Sequence, residues 1–334
     1  MFKNIKVSVV IATYNGSKYI IEELESIMNQ TIIPDEVIIS DDCSKDNTAE
    51  LINNFIIDNS LSNWKLNINK KNKGFSKNFM DTLYSASGDI IFLADQDDIW
   101  MDNKIEKMLE VYCLNENVKS VASEFIFIDG NSNSIEAPKK VPNVKCRLDN
   151  SLIKIRPIDN VISSYIRGCT TFVSKDIVDY IKNNNLDKLC SNYLLGHDWL
   201  LWMISSLMGN TYILCTPLIK YRFHDSNSSL TALQRKELIG DISKRIEGLE
   251  KSIKLHEYII NNKNSYINLN DKTFKFIKEA IKFEKRRLKF LLNKNLLDYL
   301  LLIKDLGKYK RYYRDFNRGI KVYIGDFLYA FKKR

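Results

Sequence analysis

The sequence lacks the long apolar runs and the paired cysteines that mark several large classes of protein. None of its apolar stretches approaches the roughly 18 residues that a helix needs to span a bilayer, so membrane-spanning proteins are disfavoured. Its six cysteines are scattered without any CxxC pair, which excludes the usual zinc-binding spacings and gives no sign of a disulfide framework. The N-terminal sequence MFKNIKVSVVIATYNG also lacks the pattern of a secretory signal peptide, and we therefore expect a reducing, cytoplasmic location.

Two common nucleotide-binding signatures are missing as well. No GxGxxG follows the first predicted strand, and no GK[ST] phosphate loop occurs, so dinucleotide-binding and P-loop proteins are disfavoured. Hydrophobic residues make up 45% of the sequence, a share that is typical of globular proteins. Its 334 residues are enough for one large domain or two smaller ones.

The charged residues divide the sequence into two parts. Residues 231–334 carry 26 Lys and Arg against 12 Asp and Glu, whereas residues 1–230 carry 24 against 29. The net charge of +9 therefore combines a front part of −5 with a tail of +14. Regions of such different charge are expected to have different roles, and we place a boundary at residue 230.

Short apolar runs alternate with segments of helical periodicity through the first third of the sequence. The apolar runs predict strands at Lys6–Thr13, Glu36–Ser40, Lys65–Asn69 and Ile90–Ala94. Apolar side chains at helical spacing predict a helix in each interval: Tyr19–Gln30, Thr48–Phe55 and Ser76–Ser87. This alternation predicts an α/β fold with a parallel sheet and helices on both faces. Ligand-binding residues are then expected at the carboxyl ends of the strands.

The residues at these strand ends form four groups: Thr13–Gly16, Asp41–Ser44, Lys70–Gly74 and Asp95–Asp98. The last group follows the apolar run of GDIIFLADQDDIW and places three carboxylates within four residues. Such carboxylates repel one another unless water solvates them or a divalent cation, with the phosphates it carries, holds them together. The sequence by itself leaves open a solvated turn and a metal site.

Three further polar motifs stand beside apolar runs later in the front part. They are Arg167–Thr171 (RGCTT), Gly196–Asp198 (GHD) and Tyr221–His224 (YRFH). Structural alternatives remain for several site candidates: helix caps for Asp42 and Asp198, a turn for His224, a packed neighbour for His197, a small filler for Cys169 and core positions for Trp199 and Trp202.

Five motifs in this order resemble the inverting glycosyltransferases of family 2: VVIATYNG, IISDDCSKDNT, GDIIFLADQDDIW, LLGHDWLLW and YRFHDSN. The DQDD-W and YRxHxxN details are most similar to bacterial rhamnosyltransferases and other cell-surface polysaccharide glycosyltransferases. The resemblance covers about residues 5–230 and does not extend to the tail. It implies a GT-A nucleotide-diphospho-sugar transferase fold for residues 1–230, with a mostly parallel sheet and helices on both faces. The apolar periodicity of residues 231–334 separately predicts an α-helical region there.

The resemblance implies a set of donor-binding residues: Thr13, Tyr14, Asn15, Asp41, Asp42, Asn72, Gly74, Asp95, Gln96 and Arg222. The first three match the segment that lines the base and ribose of a dTDP- or UDP-linked sugar. Asp42 matches the acid that reads the base, with Asp41 as its support. Arg222 matches a residue that approaches the diphosphate.

Metal, base and acceptor roles are implied by the same resemblance. Asp95 and Asp97 match the DXD motif that holds Mn²⁺ or Mg²⁺, with Asp97 as the direct ligand and His224 as a further candidate. Asp198 matches the carboxylate that takes the proton of the acceptor hydroxyl, although it follows His where Glu is commoner. The acceptor, a glycan or a lipid-linked saccharide, is expected beside Trp100, Gly168, Cys169 and His197.

The tail has apolar stripes at helical spacing mixed with Lys, Arg and Tyr, and three roles fit it. It could pack as a helical bundle, bind an anionic membrane surface peripherally, or form a homodimer. A nucleic-acid partner is not expected, because the front part is acidic and no RNA-module signature occurs. A sugar nucleotidyltransferase is the alternative enzyme, but its Gly-rich, Arg-containing signature is missing near the first strand.

Overall fold

The computed structural model describes residues 2, 4–136, 148–160, 166–190, 196–224, 242–307 and 316–331. The chain divides into two compact units. The first unit comprises Met1–Arg156, Tyr165–Asp187 and Gly196–His224, and the second comprises Pro157–Ser164, Lys188–Leu195 and Asp225–Arg334. The predicted boundary at residue 230, the DSN end of the last motif and the LL at the start of LLGHDWLLW lie outside the described residues.

A mixed sheet forms the centre of the first unit. Its strands are β1 (Val7–Thr13), β2 (Glu36–Asp41), β3 (Trp64–Ile68), β4 (Ile90–Ala94), β5 (Ile99–Trp100), β6 (Val118–Ile128), β7 (Ser134–Ile135), β8 (Leu152–Lys154), β9 (Thr171–Ser174) and β10 (Asn210–Arg222). The helices are α1 (Ile20–Met28), α2 (Thr48–Asp58), α3 (Phe75–Ser85), α4 (Lys104–Leu114), α5 (Lys175–Asn183) and α6 (His197–Met208). Across the sheet the order is β3-β2-β1-β4-β9-β6-β10-β5, with β7 beside β6 and β8 beside β10.

Strand direction changes once the sheet passes β4. β3, β2, β1 and β4 are mutually parallel, as the alternation of strands and helices predicts. β9 lies antiparallel between β4 and β6, and β10 runs parallel to β6. The start of β9 therefore lies at the sheet edge where β1, β2 and β4 end. The segment 167–170, which precedes β9, is brought to that same edge.

The central strands are buried on both faces, which explains why their sequences are almost continuously apolar. In β1 every residue except Ala12 is buried, and all five residues of β4 are buried. Packing of this kind fixes the strands, so the polar residues that follow them are presented from a rigid support.

Helices α7 (Ile242–Asn261), α8 (Asp271–Asn293), α9 (Leu296–Leu301) and α10 (Phe316–Ala330) form most of the described part of the second unit. Charged side chains in its interior are paired. The fully buried Asp326 accepts a hydrogen bond from Arg287 Nε at 2.7 Å, and His256 Nδ1 lies 3.0 Å from Glu284 Oε2. Such pairing is what makes buried charge tolerable in a small helical unit.

The state of the cysteines and the length of the helices bear on two expectations from the sequence. Cys43, Cys113, Cys169 and Cys190 have free thiols, whereas Cys215 in β10 is bonded in a disulfide. The scattered cysteine spacing did not reveal this bond, because spacing in the sequence carries no information about contacts in the fold. No described helix has both the length and the apolar character needed to cross a bilayer.

Candidate active site

The turns after β1 and β2 are joined by side-chain hydrogen bonds. Asp41 is buried and accepts hydrogen bonds from the hydroxyl of Thr13 at 3.1 Å and from the backbone N–H of Ser44 at 2.9 Å. The N–H of Asn15 donates to Ser44 Oγ at 2.8 Å, and Asn15 Oδ1 accepts from the N–H of Lys45 at 2.8 Å. Asp41 and Asn15 therefore shape this part of the sheet edge.

Asp42 holds the loop that follows β3. Its buried carboxylate accepts hydrogen bonds from the backbone N–H groups of Lys73 and Gly74, each at 2.8 Å. The side-chain amide of Asn69 adds a third bond at 3.0 Å. Gly74 has a φ of 83°, which a residue with a side chain adopts only with strain. These three donors occupy most of the roughly four lone-pair sites of the Asp42 carboxylate, so little capacity remains for its predicted contact with a nucleotide base.

Gln96 connects the loop after β4 to the loop after β1. Its side-chain oxygen accepts from the N–H of Tyr14 at 2.8 Å, and its side-chain nitrogen donates to the Tyr14 carbonyl at 3.2 Å. A Cβ on Gly16 would lie only 2.3 Å from that oxygen, so the approach depends on glycine. The Tyr14 ring stays exposed at the sheet edge, where it can face a ligand.

Three carboxylates crowd the end of β4. Burial raises the pKa of Asp95 to about 7, and repulsion from Asp97 adds to the shift. The fully buried Asp98 has its pKa raised well above the usual range by burial and by both neighbouring carboxylates. Oδ2 of Asp97 lies 2.8 Å from Nε2 of His224, which follows β10. The predicted metal residues Asp95, Asp97 and His224 thus meet in one region of the first unit.

This donor set fits a hard divalent cation. Ligand atoms of Asp95, Asp98 and Cys169 all lie within 4.8 Å of one another. A cation would relieve the repulsion that raises the pKa values of both carboxyl groups, and carboxylate oxygens suit Mn²⁺ or Mg²⁺. Burial raises the pKa of the Cys169 thiol well above its usual range, and Asp98 and Asp95 raise it further. Cys169 is therefore a protonated filler, in agreement with its structural interpretation.

Asp198 lies in the first turn of α6, beside the segment that precedes β9. A Cβ on Gly168 would lie 3.6 Å from Asp198 Cβ and 3.6 Å from His197 Nε2, so these residues are neighbours. Asp198 Oδ1 accepts from the backbone N–H of Trp199 at 2.8 Å, which fixes the direction of the carboxylate. His197 stacks on Phe79 with ring centroids 4.4 Å apart, and burial lowers its pKa.

Comparison with known proteins places this arrangement in a family. The sequence model of glycosyl transferase family 2 matches residues 8–178, about half of the chain. The chain belongs to glycosyl transferase family 2. The dTDP-rhamnosyl transferase RfbG of Shigella flexneri is 28% identical over 223 residues, 65% of this chain and 72% of that protein.

Two other proteins extend the comparison of this glycosyltransferase. The UDP-Glc:alpha-D-GlcNAc-diphosphoundecaprenol beta-1,3-glucosyltransferase WfgD of Escherichia coli is 27% identical over 234 residues, 70% of this chain and 82% of that one. The crystal structure of S. aureus TarS 1-349 with UDP-GlcNAc gives a TM-score of 0.60 at 17% identity, covering 97% of this chain and 89% of that one. The GT-A fold class and the enzyme class predicted from the motifs are confirmed.

Arg222 is a brace in the structure of this glycosyltransferase. Its side chain is fully buried, and Nε donates to the backbone carbonyl of Asp97 at 2.8 Å. Nη1 donates to Ser132 Oγ at 2.9 Å, and Nη2 to Glu22 Oε2 at 2.9 Å. The guanidinium carbon also lies 4.5 Å from the centroid of the Tyr19 ring. These contacts position Asp97, and a direct contact of Arg222 with phosphate, which stays a prediction, would require the side chain to leave them.

Sequence analysis missed a buried lysine beneath the acidic cluster. Lys104 is fully buried, with Nζ donating to the Cys169 carbonyl at 2.7 Å and lying 3.4 Å from the centroid of the Trp100 ring. Burial lowers its pKa to about 7, against the opposing effects of Cys169 and the acids Glu23 and Asp98. Glu23 is also fully buried, and burial raises its pKa well above the usual range. Lys104 and Glu23 each lie on the apolar stripe of a helix. A charged residue on such a stripe indicates a buried charge, and this signal is visible in the sequence.

The same cluster corrects the interpretation of Trp100. This side chain is 1% exposed and packs against Phe92 with ring centroids 5.8 Å apart. Its ring therefore belongs to the core below the acidic cluster and offers no surface to an acceptor sugar. Trp199 and Trp202 are also buried, as their structural interpretation predicted.

Arg167 is a second cation that sequence analysis did not single out as a site residue. Its guanidinium carbon lies 4.6 Å from the ring centroid of Tyr221 and 4.8 Å from that of Phe125. Its charge lowers the pKa of Asp95, although burial and Asp97 outweigh it. Arg167 therefore contributes positive charge to the edge where the acidic cluster and Asp198 lie.

Proposed function

We propose that this glycosyltransferase moves a sugar, with inversion, from a dTDP- or UDP-linked donor to a hydroxyl group of a glycan or lipid-linked acceptor. One observation carries the proposal: two separate acidic sites, the Asp95–Asp98 cluster and Asp198, lie at one sheet edge. The segment before β9 is adjacent to both, through Cys169 on one side and Gly168 on the other. Two distinct acidic sites suit a reaction that needs one anionic group for a cation and another for a proton.

In this proposal Asp198 takes the proton of the acceptor hydroxyl as that oxygen attacks the anomeric carbon. The hydrogen bond from the Trp199 N–H fixes one carboxylate oxygen and leaves the other for the substrate. A single attack of this kind, opposite to the leaving diphosphate, inverts the configuration at the anomeric carbon. Gly168 leaves space beside Asp198 because it has no side chain.

The donor is proposed to lie across the ends of β1, β2 and β4. Tyr14 presents an exposed ring there, while Asn15, Asp41 and Gln96 hold the loops in place. Bound Mn²⁺ or Mg²⁺ would be held by Asp97 with Asp95 and His224, and would supply positive charge to the departing diphosphate. Arg222 and Lys104 hold this acidic region in position through hydrogen bonds to the backbone carbonyls of Asp97 and Cys169.

The cellular setting is part of the proposal. We assign catalysis to residues 1–230 and a supporting role to residues 231–334. The name of the Escherichia coli relative includes a diphosphoundecaprenol-linked acceptor, which supports a membrane-bound acceptor here. We therefore place the enzyme at the cytoplasmic face of the bacterial membrane, in the synthesis of a surface polysaccharide.

A ligand titration with product analysis tests the proposal. UDP- and dTDP-sugars are titrated with Mn²⁺ or Mg²⁺ while the unfolding temperature is followed, and one donor class should stabilise the protein only with metal. Incubation with that donor and an acceptor should release the nucleoside diphosphate. Release of pyrophosphate from a nucleoside triphosphate would indicate the alternative, a sugar nucleotidyltransferase, and no response to any donor would contradict the proposal.

A further inference from the structure

We infer that the second unit docks on an anionic lipid surface through exposed apolar side chains of α9 and α10. These side chains, here called the apolar edge, are Leu296, Leu297, Leu300, Leu301, Leu328 and Phe331. Each is between 46% and 69% exposed. Contiguous apolar surface of this kind marks an interaction site, because water disfavours leaving it uncovered.

The two helices contact each other through aromatic rings, and of the apolar edge only Phe331 takes part in this aromatic packing, with its ring 4.9 Å from that of Phe327. The ring of Tyr299 stacks on that of Tyr323 at 4.5 Å and lies 4.8 Å from Phe327. Ile324 and Leu328 of α10 and Phe331, the residue that follows α10, are exposed at the i, i+4, i+7 spacing of a single helical face. Both helices therefore use one face for internal packing and present a second apolar face outward.

Helix α9 is itself short of internal support. It has six residues and none of them is buried, although four of the six are leucine. A helix of this length is marginal in water, since its hydrogen bonds barely offset the cost of ordering it. Burial of its leucines against a partner would add roughly 1.5–3 kcal/mol for each fully buried side chain.

The charge of this stretch of the chain identifies the partner. By sequence, residues 294–334 contain 11 Lys and Arg against four Asp, and three of these lysines, Lys294, Lys304 and Lys321, are exposed in the described part of the chain. Three of the acids are already paired with α8: Asp298 with Lys289 at 2.8 Å, Asp305 with Arg286 at 2.6 Å and Asp326 with Arg287 at 2.7 Å. The exposed Lys294 precedes α9 and the exposed Lys304 follows it. The region therefore has a positive excess that its own acids do not neutralise.

A lipid surface can accept both the exposed apolar side chains and the positive charge of this region, whereas a second copy of the chain cannot. Two copies meeting at the apolar edge would bring together equal positive excesses, which repel. An anionic bilayer offers an apolar interior for the leucines and negative headgroups for the lysines. Each cation near such a surface contributes about 1 kcal/mol, and amphipathic helices with Lys, Leu and Phe lie in this interface.

The inference rests on the proposed function only in expecting the acceptor to be membrane-bound. The full-length protein is sedimented with vesicles of phosphatidylcholine alone or mixed with phosphatidylglycerol, without donor or metal. The wild type should pellet with the anionic vesicles only, and binding should weaken as salt is raised. Because no sugar is transferred in this assay, its failure would leave the transfer reaction untouched.

Two pairs of substitutions locate the binding surface. Leu297→Asp with Leu301→Asp should reduce binding to anionic vesicles at least tenfold. The matched control, Ile33→Asp with Ile57→Asp, alters equally exposed apolar residues of the first unit and should bind as the wild type does. A second variant, Lys294→Glu with Lys304→Glu, removes no apolar group and should bind anionic vesicles more weakly, even if the aspartate variant fails to fold.

Three results would overturn the inference. The wild type could bind neutral and anionic vesicles equally, or bind neither. The lysine variant could retain full binding to anionic vesicles. Sedimentation velocity could show that the wild type is a dimer which the leucine substitutions dissociate, and this would assign the apolar edge to a second copy of the chain.

Discussion

Nε2 of His224 lies 2.8 Å from Oδ2 of Asp97, although 127 residues separate them in the chain. The two side chains follow β10 and β4, which are not neighbours in the sheet. The His224 ring also packs on Tyr19, with centroids 4.9 Å apart, so its position is fixed from a third segment. The pair brings a nitrogen and an oxygen ligand together at the end of β4, where the carboxylates of Asp95 and Asp98 already crowd.

Substitution of Asp97 by Asn should reduce sugar transfer at least about 10²-fold, because a group that stabilises the departing charge is lost. Activity should also lose its dependence on Mn²⁺ or Mg²⁺ concentration, while the unfolding temperature stays near that of the wild type. Initial rates over a metal titration measure both effects. Asp102→Asn, an exposed acid nearby, is the control. Full activity of the Asp97 variant in a chelator would remove Asp97 from its role.

Substitution of Asp198 by Asn should lower kcat by about 10²–10⁴-fold, the usual contribution of a general base. Donor affinity should stay near normal, because Asp198 contacts the acceptor in the proposed mechanism. The Asn side-chain oxygen can still accept from the Trp199 N–H, so the helix start is preserved. Steady-state kinetics and calorimetric donor titration separate the two quantities. Unchanged turnover would show that another group takes the proton.

Substitution of Arg222 by Lys tests whether Arg222 braces the acidic cluster or binds phosphate. A single ammonium group cannot replace donors that reach Asp97, Ser132 and Glu22 at once. The variant should be destabilised by about 1–3 kcal/mol, because the Arg222 side chain is fully buried and its hydrogen bonds would not all be remade. Glu22→Gln should cost less, because the Glu22 side chain is 42% exposed and water screens its charge.

Urea unfolding measures both stabilities, and donor titration distinguishes the two roles. If Arg222 is a brace, its substitution lowers the free energy of unfolding even in the absence of donor. A phosphate ligand would instead leave that free energy unchanged and weaken donor binding, which would restore the role implied by the family resemblance.

Glu124 should make stability fall as pH rises. Burial raises the pKa of Glu124 to about 7, and the charge of Arg167 only partly opposes this. The folded state holds the proton more tightly than the unfolded state, so the stabilisation is complete below the ordinary Glu pKa and is lost as pH rises through about 7. Glu124→Gln stays uncharged and should gain stability relative to the wild type between about pH 5 and pH 8.

Unfolding temperatures measured across this pH range provide the comparison for Glu124. Glu116→Gln, at an exposed position, should follow the wild-type curve throughout. Parallel curves for the Glu124 variant and the wild type would show that Glu124 is already ionised in the folded protein.

The first strands and helices could be predicted because each is determined by its own sequence. β4 has the predicted bounds, and β2 differs by one residue at its end. β9 could not be predicted in the same way, because four residues carry little periodic signal and nothing in them encodes an antiparallel direction. The pairing of β9 with β4 and β6 depends on contacts that local sequence does not reveal.

In the site, too, features set by neighbouring residues could be predicted, whereas contacts between distant residues could not. The acidic ends of β2 and β4 are visible in the sequence, since they follow buried apolar runs directly. The partners of these residues are not visible, because Arg222 reaches Glu22 across 200 residues and Asp42 binds a loop 31 residues away. Trp100 shows the limit most clearly: it stands only two residues after the acidic pair Asp97 and Asp98, yet its ring lies in the core.

The reversed direction of β9 has a consequence for how specificity can change within this enzyme class. The loops that leave β1, β2 and β4 are interlocked by Asp41, Asp42 and Gln96, so altering one of them disturbs the others. The segment entering β9 comes from a different stretch of the chain and reaches the same edge from the opposite side. Under the proposed placement of donor and acceptor, exchanging that entering segment would change the acceptor, while the interlocked half would retain its choice of activated sugar.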